Sequence, residues 1–435
     1  MIVEEVKNTF DQEPVDIDVS TSTALLIAVQ HPGMVAQEVA DSLDELKQLA
    51  ANISIETAEA IIVKLPQPHP RFLLGSGKVD EIISRARELG AGFIIFDEDL
   101  SPAQQRNWEK QSQLCIIDRH EVILEIFADR AFTREASLQV ALARLEYSLP
   151  RLKRQWTHLS RQRGGARGNR GEGETQLEVD RRVALDRIAK VKRELTKVLG
   201  QRATMRKQRA AVPLPSGAIV GYTNAGKSSL LNALTHAGVL VENKLFATLD
   251  PTTRRLSLEN GTEVLLTDTV GFIRRLPHDL VDAFRSTLEE TVLADFLIHV
   301  VDGSSENRDH EMMVTRQVLE EIGAGTKPVI TVLNKMDLSG GVHATAPGGT
   351  VEVSALTGAG LERLLAEIAD IVARAVTMEV IDYRFPSARS DLAALVHRTG
   401  HVLAKDYVDE MIHIRAQVPE KTRNLLEAYR ARQLR

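Results

Sequence analysis

The sequence predicts a multidomain α/β protein, and three observations support this fold class. At 435 residues the chain is too long for one ordinary hydrophobic core. Between residues 21 and 131, short apolar runs such as TALLIAVQ and FIIFDED alternate with helical patterns, which is typical of parallel strands joined by crossover helices. Between residues 213 and 375, the runs GAIV and VLLTD each lead into a polar or Gly-rich motif. This pattern predicts a second, mostly parallel sheet with helices on both faces.

The composition indicates folded cores and favours a cytoplasmic protein. Hydrophobic residues make up 43% of the chain and charged residues 26%. The single cysteine, Cys115, has no disulfide partner and lies in the apolar run LCIID. The acidic N-terminus lacks the basic start and apolar core of a signal peptide, and no apolar run approaches the roughly 18 residues that a membrane span needs. We therefore expect a cytoplasmic monomer without a membrane span.

Changes in periodicity divide the chain into five segments. The first is acidic and has no apolar period, so it is expected to be disordered. The last contains the alternating run MIHIRAQV and two helical patterns, which predicts a small α+β domain. The predicted segments are 1–20 (disordered), 21–131 (N-terminal α/β domain), 132–212 (antiparallel helical hairpin), 213–375 (larger α/β domain) and 376–435 (C-terminal α+β domain).

Two apolar seams predict the helical hairpin. Large apolar residues from Leu138 to Trp156 are spaced alternately by 4 and 3, and a similar seam runs from Leu177 to Val198. Two antiparallel helices facing each other would bury both seams. Pro150 lies within the first seam and should interrupt that helix. The Gly- and Arg-rich stretch RGGARGNRGEGETQ would then form the tip of the hairpin.

The stretch GYTNAGKSS satisfies the phosphate-loop pattern G-x-x-x-x-G-K-[ST]. It follows the strand-like run GAIV and opens the helical pattern SSLLNALTHA, so its backbone N–H groups could surround phosphate oxygens at a helix N-terminus. Lys227 would reach the β- and γ-phosphates, and the Ser228 hydroxyl would ligate Mg²⁺. The candidate nucleotide-binding residues of this loop are Gly221, Tyr222, Thr223, Asn224, Ala225, Gly226, Lys227, Ser228 and Ser229.

Three later motifs complete the predicted nucleotide site, and two of them predict that the base is guanine. VLLTDTVG ends a strand on Asp268, which is suited to hold Mg²⁺ through a water, and places the Gly271 N–H where it can meet the γ-phosphate. In NKMD, the Asp337 carboxylate can accept hydrogen bonds from guanine N1 and N2, which adenine cannot supply. In VEVSALTG, backbone N–H groups can donate to guanine O6. The candidate residues of these motifs are Asp268, Thr269, Val270, Gly271, Asn334, Lys335, Met336, Asp337, Ser354, Ala355 and Leu356.

Over nearly its whole length the chain resembles the HflX family of ribosome-associated GTPases. The resemblance lies in FATLDPTTRR, DTVGFIRRLPHDLV, GEGETQLEVDRR and LLGSGKVDEI. It implies that Thr248 is the switch threonine that ligates Mg²⁺ when the γ-phosphate is present, a role that position alone does not separate from Thr252 or Thr253. It adds Phe246, Ala247, Thr248, Leu249 and Asp250 to the GTP or GDP site. Lys227, Thr248 and Gly271 are the predicted catalytic residues, and Ser228, Thr248 and Asp268 the predicted metal ligands.

Two departures from better-known GTPases affect the expected mechanism. After DTVG, where many GTPases carry a water-orienting glutamine, this chain has Phe272, so intrinsic hydrolysis should be slow until a bound partner such as the ribosome stimulates it. Asn224 occupies a phosphate-loop position where, in similar GTPases, an asparagine can help to hold a monovalent cation. The sequence therefore raises the hypothesis of a K⁺ dependence.

The Gly- and Arg-rich tip is the predicted RNA-binding element. From Arg151 to Ala210 the chain has 18 Lys or Arg residues against 6 Asp or Glu residues, whereas the whole chain has a net charge of −6. Such a basic run is either a solvated helix face or a polyanion-binding surface. Guanidinium groups on flexible backbone can bind phosphates or stack on bases, and the resemblance implies contact with RNA of the large ribosomal subunit. The candidate RNA-binding residues are Arg163, Gly164, Gly165, Arg167, Gly168 and Arg170.

Three functions remain open at this point. The first is a GTP-driven switch that binds the ribosome and remodels or splits it, with the nucleotide state gating association. The second is an RNA-remodelling, helicase-like ATPase that uses the N-terminal domain, although LLGSGKVDEI carries Phe72 and Val79 where a Walker motif would need glycine and a metal-binding hydroxyl. The third is a passive anti-association or assembly factor timed by GTP.

Overall fold

A computed structural model describes most of the chain. The described residues are 23–154, 170–210, 214–235, 245–246, 248–259, 261–275, 285–339, 350–375 and 378–431. The predicted disordered segment 1–20 and the tip residues 163–168 lie outside them. The chain divides into two compact units, the first formed by Met1–Leu199 with Arg274–Phe284 and the second by Gly200–Ile273 with Arg285–Arg435.

The first unit contains a four-stranded parallel sheet. Its strand order is β2-β1-β3-β4, so the first strand lies between the second and the third. The central strand TALLIAVQ is buried at six successive positions because helices cover both faces, which explains its continuous apolar run. The strands are β1 (Thr23–Gln30), β2 (Glu56–Lys64), β3 (Phe93–Phe96) and β4 (Cys115–Asp118), and the helices that follow them are α1 (Ala36–Asn52), α2 (Ser76–Glu88), α3 (Pro102–Ser112) and α4 (Arg119–Arg130).

Local chemistry sets the start of α3 and anchors it to the core. The Ser101 hydroxyl accepts from the backbone N–H of Gln104, whose side chain accepts in return from the Ser101 N–H, and Pro102 occupies the first helical position. Trp108 is fully buried, and its indole N–H donates to the carbonyl of Phe72 over 2.7 Å. Burial raises the pKa of the Cys115 thiol to about 12, so this side chain remains a neutral thiol.

The apolar seams of the predicted hairpin pack against each other. Helix α5 (Arg134–Ser148) is followed by a 3₁₀ segment, Leu149–Arg154, so the α-helix ends next to Pro150 as the missing N–H predicts. The second helix, α6, spans Arg170–Ala210. The buried side chains shared by the two helices are Leu138, Leu142, Leu145, Ile188 and Val191, with Leu149, Leu195 and Val198 partly buried beside them.

A buried polar cluster joins β4 to the end of α5. The Asp118 carboxylate is fully buried and accepts from the Tyr147 hydroxyl over 2.9 Å and from the Leu100 N–H over 3.1 Å. The Arg151 guanidinium lies 3.6 Å above the Tyr147 ring and donates to the Leu100 carbonyl. Burial, together with the nearby Asp118 charge, raises the pKa of Glu121 to about 7. Glu121 is therefore a proton-binding group of the folded first unit near neutral pH.

Glu121→Gln should change how the stability of the first unit depends on pH. Because the folded chain binds the Glu121 proton more tightly than the unfolded chain, this residue stabilises the fold below pH 4.5, and the contribution is lost as the pH rises to about 7. At one pKa unit per 1.4 kcal/mol, the loss amounts to about 3 kcal/mol. As the pH rises from 5 to 8, the free energy of unfolding of the variant should therefore increase relative to that of the parent.

Urea unfolding followed by tryptophan fluorescence measures this effect, since Trp108 is fully buried in α3 of the first unit. The matched control is Glu88→Gln, because the Glu88 side chain is 64% exposed near the end of α2. Equal pH dependence in the parent and in Glu121→Gln would contradict the assignment.

The second unit contains a six-stranded sheet with strand order β10-β9-β8-β5-β7-β6. All neighbours pair in parallel except β6 and β7, which are antiparallel. The elements are β5 (Ser216–Gly221), α7 (Lys227–Thr235), β6 (Thr252–Ser257), β7 (Glu263–Asp268), α8 (Arg285–Leu293), β8 (Phe296–Asp302), α9 (Arg308–Glu321), β9 (Val329–Asn334), a 3₁₀ segment (Met336–Leu338), β10 (Thr350–Glu352) and α10 (Leu361–Ala375). The carboxyl ends of β5, β7, β9 and β10 carry the sequence motifs, and a mostly parallel sheet brings these ends to one edge.

The C-terminal segment forms a three-stranded antiparallel sheet with strand order β11-β13-β12. Its core includes Tyr383, Phe385 and Ile414. The strands are β11 (Met378–Pro386), β12 (His401–Val408) and β13 (Met411–Pro419), and the helices are α11 (Ser390–Thr399) and α12 (Glu420–Leu425). The predicted α/β fold class is confirmed, whereas the five segment boundaries remain a proposal. Among the described residues, no helix is long and apolar enough to cross a membrane.

Candidate guanine-nucleotide site

The phosphate loop connects the end of β5 to the start of α7. Gly221 has φ +149° and Gly226 has φ +90°, both in the region that L side chains rarely adopt. A β-carbon at Gly221 would collide with the carbonyl oxygen of Val300, and one at Gly226 would collide with the amide of Asn334. The loop therefore requires glycine at both positions, for backbone conformation as well as for close packing.

Lys227 extends back into the loop. Its side chain is buried, and Nζ donates to the carbonyls of Gly221 over 3.2 Å and of Tyr222 over 2.7 Å. Burial lowers the pKa of Lys227 to about 8, with the nearby Asp268 carboxylate opposing the shift. An anion within the loop would restore the ordinary basicity of this lysine, which suits a phosphate-binding role.

Three oxygen atoms from separate parts of the chain converge beside the loop. The Ser228 hydroxyl donates to Asp268 Oδ2 over 2.6 Å, the Thr248 hydroxyl donates to the same oxygen over 2.9 Å, and the two hydroxyls lie 2.8 Å apart. Asp268 Oδ1 is buried and has no hydrogen-bond partner among the described residues. Burial raises the pKa of Asp268, although Lys227 and the two hydroxyls oppose this shift. This donor set of one carboxylate and two hydroxyls is compatible with Mg²⁺, which prefers oxygen ligands.

The DTVG segment closes one side of the loop. The Thr223 N–H donates to the Phe272 carbonyl over 2.8 Å, and the Phe272 N–H donates to the Gly221 carbonyl over 3.1 Å. A β-carbon at Gly271 would lie 2.7 Å from Thr223 Cα and 3.0 Å from Lys227 Nζ, so only glycine fits there. The Phe272 side chain is 1% exposed and therefore cannot orient a water molecule at the site.

The motifs predicted to read the base are held together by side-chain hydrogen bonds. The Asn334 amide donates to the Ala225 carbonyl and accepts from the Ala355 N–H, each over 3.0 Å. Asn334 therefore joins the phosphate loop to the VEVSALTG motif. The Ser354 hydroxyl donates to Asp337 Oδ1 over 2.5 Å and thereby orients the carboxylate predicted to read guanine. Leu356 is 86% exposed beside this pair.

Asp302 is a site residue that the sequence interpretation missed. Its Oδ2 pairs with Lys335 Nζ over 2.7 Å, and its Oδ1 accepts from the Ser304 N–H and hydroxyl. A signal was present, because Asp302 ends the apolar run FLIHVVD and β8 is the parallel neighbour of β9, which ends on Asn334. Only the strand order shows that the two ends are adjacent.

The remaining predicted residues occupy several environments. Asn224 is exposed at the turn of the loop, whereas the side chains of Phe246, Leu249 and Met336 are buried and could contact a ligand only through their backbone. Ala247 and the tip residues 163–168 lie outside the described residues, and Arg170 begins α6. In the N-terminal domain, Val79 is fully buried and Phe72 nearly so, so the GSGK stretch has core side chains where a Walker motif needs glycine and a hydroxyl.

A parallel sheet with a lysine-containing phosphate loop and a guanine-reading motif at its carboxyl edge defines a P-loop GTPase. Residues 40–128 match the family described as GTP-binding GTPase N-terminal, 130–209 match GTP-binding GTPase Middle Region, and 216–335 match 50S ribosome-binding GTPase. The GTPase HflX of Akkermansia muciniphila is 47% identical, over 94% of this chain and 97% of the relative. The GTPase HflX of Escherichia coli K12 is 40% identical, over 87% of this chain and 89% of the relative. The chain belongs to the HflX family of GTPases.

Solved structures also resemble the chain. The crystal structure of the SsGBP and GDP complex is 28% identical, with a TM-score of 0.44 over 81% of this chain and 98% of that chain. A GTP-binding protein from Sulfolobus solfataricus in complex with GDP is 27% identical, with a TM-score of 0.42 over 81% of this chain and 99% of that chain.

The family places the chain among enzymes that bind GTP and GDP and hydrolyse GTP. The predicted resemblance and GTPase activity are thus confirmed. The roles of the individual site residues remain predictions.

Proposed function

We propose that the chain is a monomeric, GTP-driven switch that binds the large ribosomal subunit and splits or remodels ribosomes, with the nucleotide state gating association. The observation that carries this proposal is the convergence of Thr248 with Ser228 and Asp268. Thr248 lies outside both the phosphate loop and the DTVG strand, yet its hydroxyl is held at the edge of the nucleotide site. A bound γ-phosphate could order this residue, and loss of the γ-phosphate could release it. The match of residues 216–335 to 50S ribosome-binding GTPases supports the choice of partner.

Mg²⁺ is the metal that the site would hold. Ser228 and Thr248 would ligate it directly and Asp268 through a water, since all three offer oxygen ligands within 2.9 Å of one another. When bound, Mg²⁺ neutralises charge on the β- and γ-phosphates.

The protein groups supply positioning and electrostatic stabilisation. The Lys227 ammonium binds the β- and γ-phosphates, the loop N–H groups bind phosphate oxygens, and the Gly271 N–H donates to the γ-phosphate. Because the Phe272 side chain is buried, the chain has no side chain at this position to orient the attacking water. Intrinsic hydrolysis is therefore slow, and the ribosome stimulates it by completing the site.

Asn224 is the residue that would help to bind a monovalent cation beside the phosphates. Its φ of +59° places it at the turn of the phosphate loop, and its side chain is exposed toward solvent. An amide oxygen there can add to the phosphate oxygens as a ligand for K⁺. We expect hydrolysis to be at least about threefold faster in KCl than in NaCl, and Asn224→Ala to remove the difference. Equal parent rates in the two salts would contradict a cation role.

The Gly- and Arg-rich tip is the proposed contact with ribosomal RNA. Replacing Arg163, Arg167 and Arg170 by alanine should weaken binding to purified large subunits by about 10-fold or more, because each guanidinium neutralises a phosphate. Co-sedimentation with GDP and with a non-hydrolysable GTP analogue measures binding in both nucleotide states. The affinity of the parent should be higher with the analogue.

A matched control replaces three arginines that lie outside the predicted tip in the sequence, namely Arg85, Arg87 and Arg134. This control should bind like the parent. If the tip variant sedimented as well as the parent, or if the parent sedimented equally in both nucleotide states, the proposal would fail.

A further inference from the structure

Thr223 carries a buried hydroxyl in the phosphate loop. The residue is 6% exposed, and its Oγ1 has no hydrogen-bond partner among the described residues. The other two threonine hydroxyls of the site are paired, since Thr248 donates to Asp268 and Thr269 donates to the Ile219 carbonyl over 2.7 Å. A buried hydroxyl without a partner is destabilising, and such groups are rare in folded proteins.

Packing does not explain why threonine occupies this position. Valine has the branched shape of threonine with a methyl group in place of the hydroxyl, so it would fill the same space without burying a polar atom. Groups that lower stability are retained mainly where function needs them. We therefore expect the Thr223 hydroxyl to have a role other than stabilising the fold.

The backbone N–H of Thr223 is already bonded to the DTVG segment. It donates to the Phe272 carbonyl over 2.8 Å, and Tyr222 and Phe272 form an isolated parallel bridge. Phosphate loops bind anions through backbone N–H groups that point inward. Because the N–H of Thr223 is engaged elsewhere, its hydroxyl is the only hydrogen-bond donor that this residue can offer to a phosphate.

The Thr223 side chain lies beside the groups proposed to contact the γ-phosphate. A β-carbon placed on Gly271 would lie 2.7 Å from Thr223 Cα, 2.8 Å from Thr223 Cγ2 and 3.0 Å from Lys227 Nζ. Thr223, Gly271 and the Lys227 ammonium thus border one small region. Since the Gly271 N–H and Lys227 are the proposed partners of the γ-phosphate, the Thr223 hydroxyl is close to the same phosphoryl group.

We propose that the Thr223 hydroxyl donates a hydrogen bond to the γ-phosphoryl group of GTP, and that this bond strengthens in the transition state of hydrolysis. The transferred group spreads negative charge over its equatorial oxygens, and a fixed donor beside them lowers the barrier. This contact is made by a side chain and adds to the backbone N–H groups of the loop. The inference rests on the proposed position of the γ-phosphate beside Gly271 and Lys227.

Thr223→Val in the full-length protein tests the proposal, because it keeps the shape of the side chain and removes the hydroxyl. Single-turnover GTP hydrolysis should slow by about 10-fold or more. The affinity for a non-hydrolysable GTP analogue should fall by about 10-fold, whereas the affinity for GDP should stay within about twofold of the parent. Thr223→Ser keeps the hydroxyl and should recover most of the rate and of the analogue affinity.

Thr315→Val is the matched control. Thr315 lies within α9, is fully buried and also has an Oγ1 without a hydrogen-bond partner among the described residues. Neither valine variant should lower the free energy of unfolding of the nucleotide-free protein, because each removes an unpaired buried polar atom. Urea unfolding followed by circular dichroism measures this quantity. Only Thr223→Val should slow hydrolysis, so the pair separates a role at the γ-phosphate from a role in folding.

An unchanged rate in Thr223→Val would overturn the inference, as would an equal loss of affinity for GDP and for the analogue. The inference would also fail if Thr223→Ser hydrolysed GTP as slowly as Thr223→Val, or if Thr315→Val were equally slow. A marked loss of stability in Thr223→Val would assign the hydroxyl a structural role instead.

The outcome is separable from that of the proposed switch. If Thr248→Ala slows hydrolysis while Thr223→Val leaves it unchanged, the Thr223 contact is wrong and the switch stands. If Thr248→Ala leaves hydrolysis unchanged, the proposed switch itself fails, whatever the result for Thr223→Val.

Discussion

Asp337→Asn should reverse the base preference of the nucleotide site. GDP should bind about 100-fold more weakly, because the amide turns one acceptor oxygen into a donor that faces the guanine N2 donor, and the remaining bond from N1 loses its charged acceptor. Xanthosine diphosphate should bind the variant more tightly than GDP does, since its O2 can accept from the new amide where guanine presents a donor. Competition binding with the two diphosphates measures both changes.

Asp302→Asn is the matched control for base reading. Asp302 pairs with Lys335 and not with Asp337, so its loss should weaken both nucleotides by a similar factor of about 10 and leave their order unchanged. If Asp337→Asn retained the preference of the parent for GDP, the assignment of Asp337 as the guanine-reading carboxylate would be wrong.

Thr248→Ala should slow GTP hydrolysis by about 100-fold and change GDP affinity by less than about twofold. The Thr248 hydroxyl lies 2.8 Å from the Ser228 hydroxyl and 2.9 Å from Asp268, where it would act on the triphosphate state. Single-turnover hydrolysis and GDP titration separate the two effects. In sedimentation with large subunits, a switch predicts that the variant loses the nucleotide dependence of binding. A passive timer predicts that the variant binds but does not leave.

Two neighbouring threonines provide the controls for this variant. Thr252 begins β6, and the Thr253 hydroxyl lies 2.9 Å from the Thr267 hydroxyl on β7. Thr253 is therefore engaged in cross-strand pairing, and Thr252→Ala and Thr253→Ala should leave hydrolysis within about threefold of the parent. If either slowed hydrolysis as much as Thr248→Ala, the choice of switch threonine would be wrong.

Local patterns were sufficient for most of the architecture. The alternation of apolar runs with helical patterns predicted the parallel sheets, and the spacing of Leu138, Leu142 and Leu145 predicted the face that α5 packs against α6. These inferences succeed because periodicity reports directly which side of an element is buried. The phosphate-loop glycines were equally readable, since a loop that encloses phosphate requires backbone conformations open to glycine.

Long-range contacts were not readable in this way. Position in the sequence did not separate Thr248 from its neighbours, and the resemblance to a family was needed to choose it. The structure places its hydroxyl beside Ser228 and Asp268, each 20 residues away. Asp302 was missed because its partner Lys335 is adjacent only through the pairing of β8 with β9.

The sequence alone determined the elements and the order of the motifs and predicted the base that they recognise, because each depends on residues that are close together in the chain. Tertiary structure decided which side chains share an environment. It buried Phe272, and it paired Lys335 with Asp302. The reason is physical: the cost of burying a charge or a polar group is met by partners that folding brings together from distant parts of the chain, and no local pattern records them.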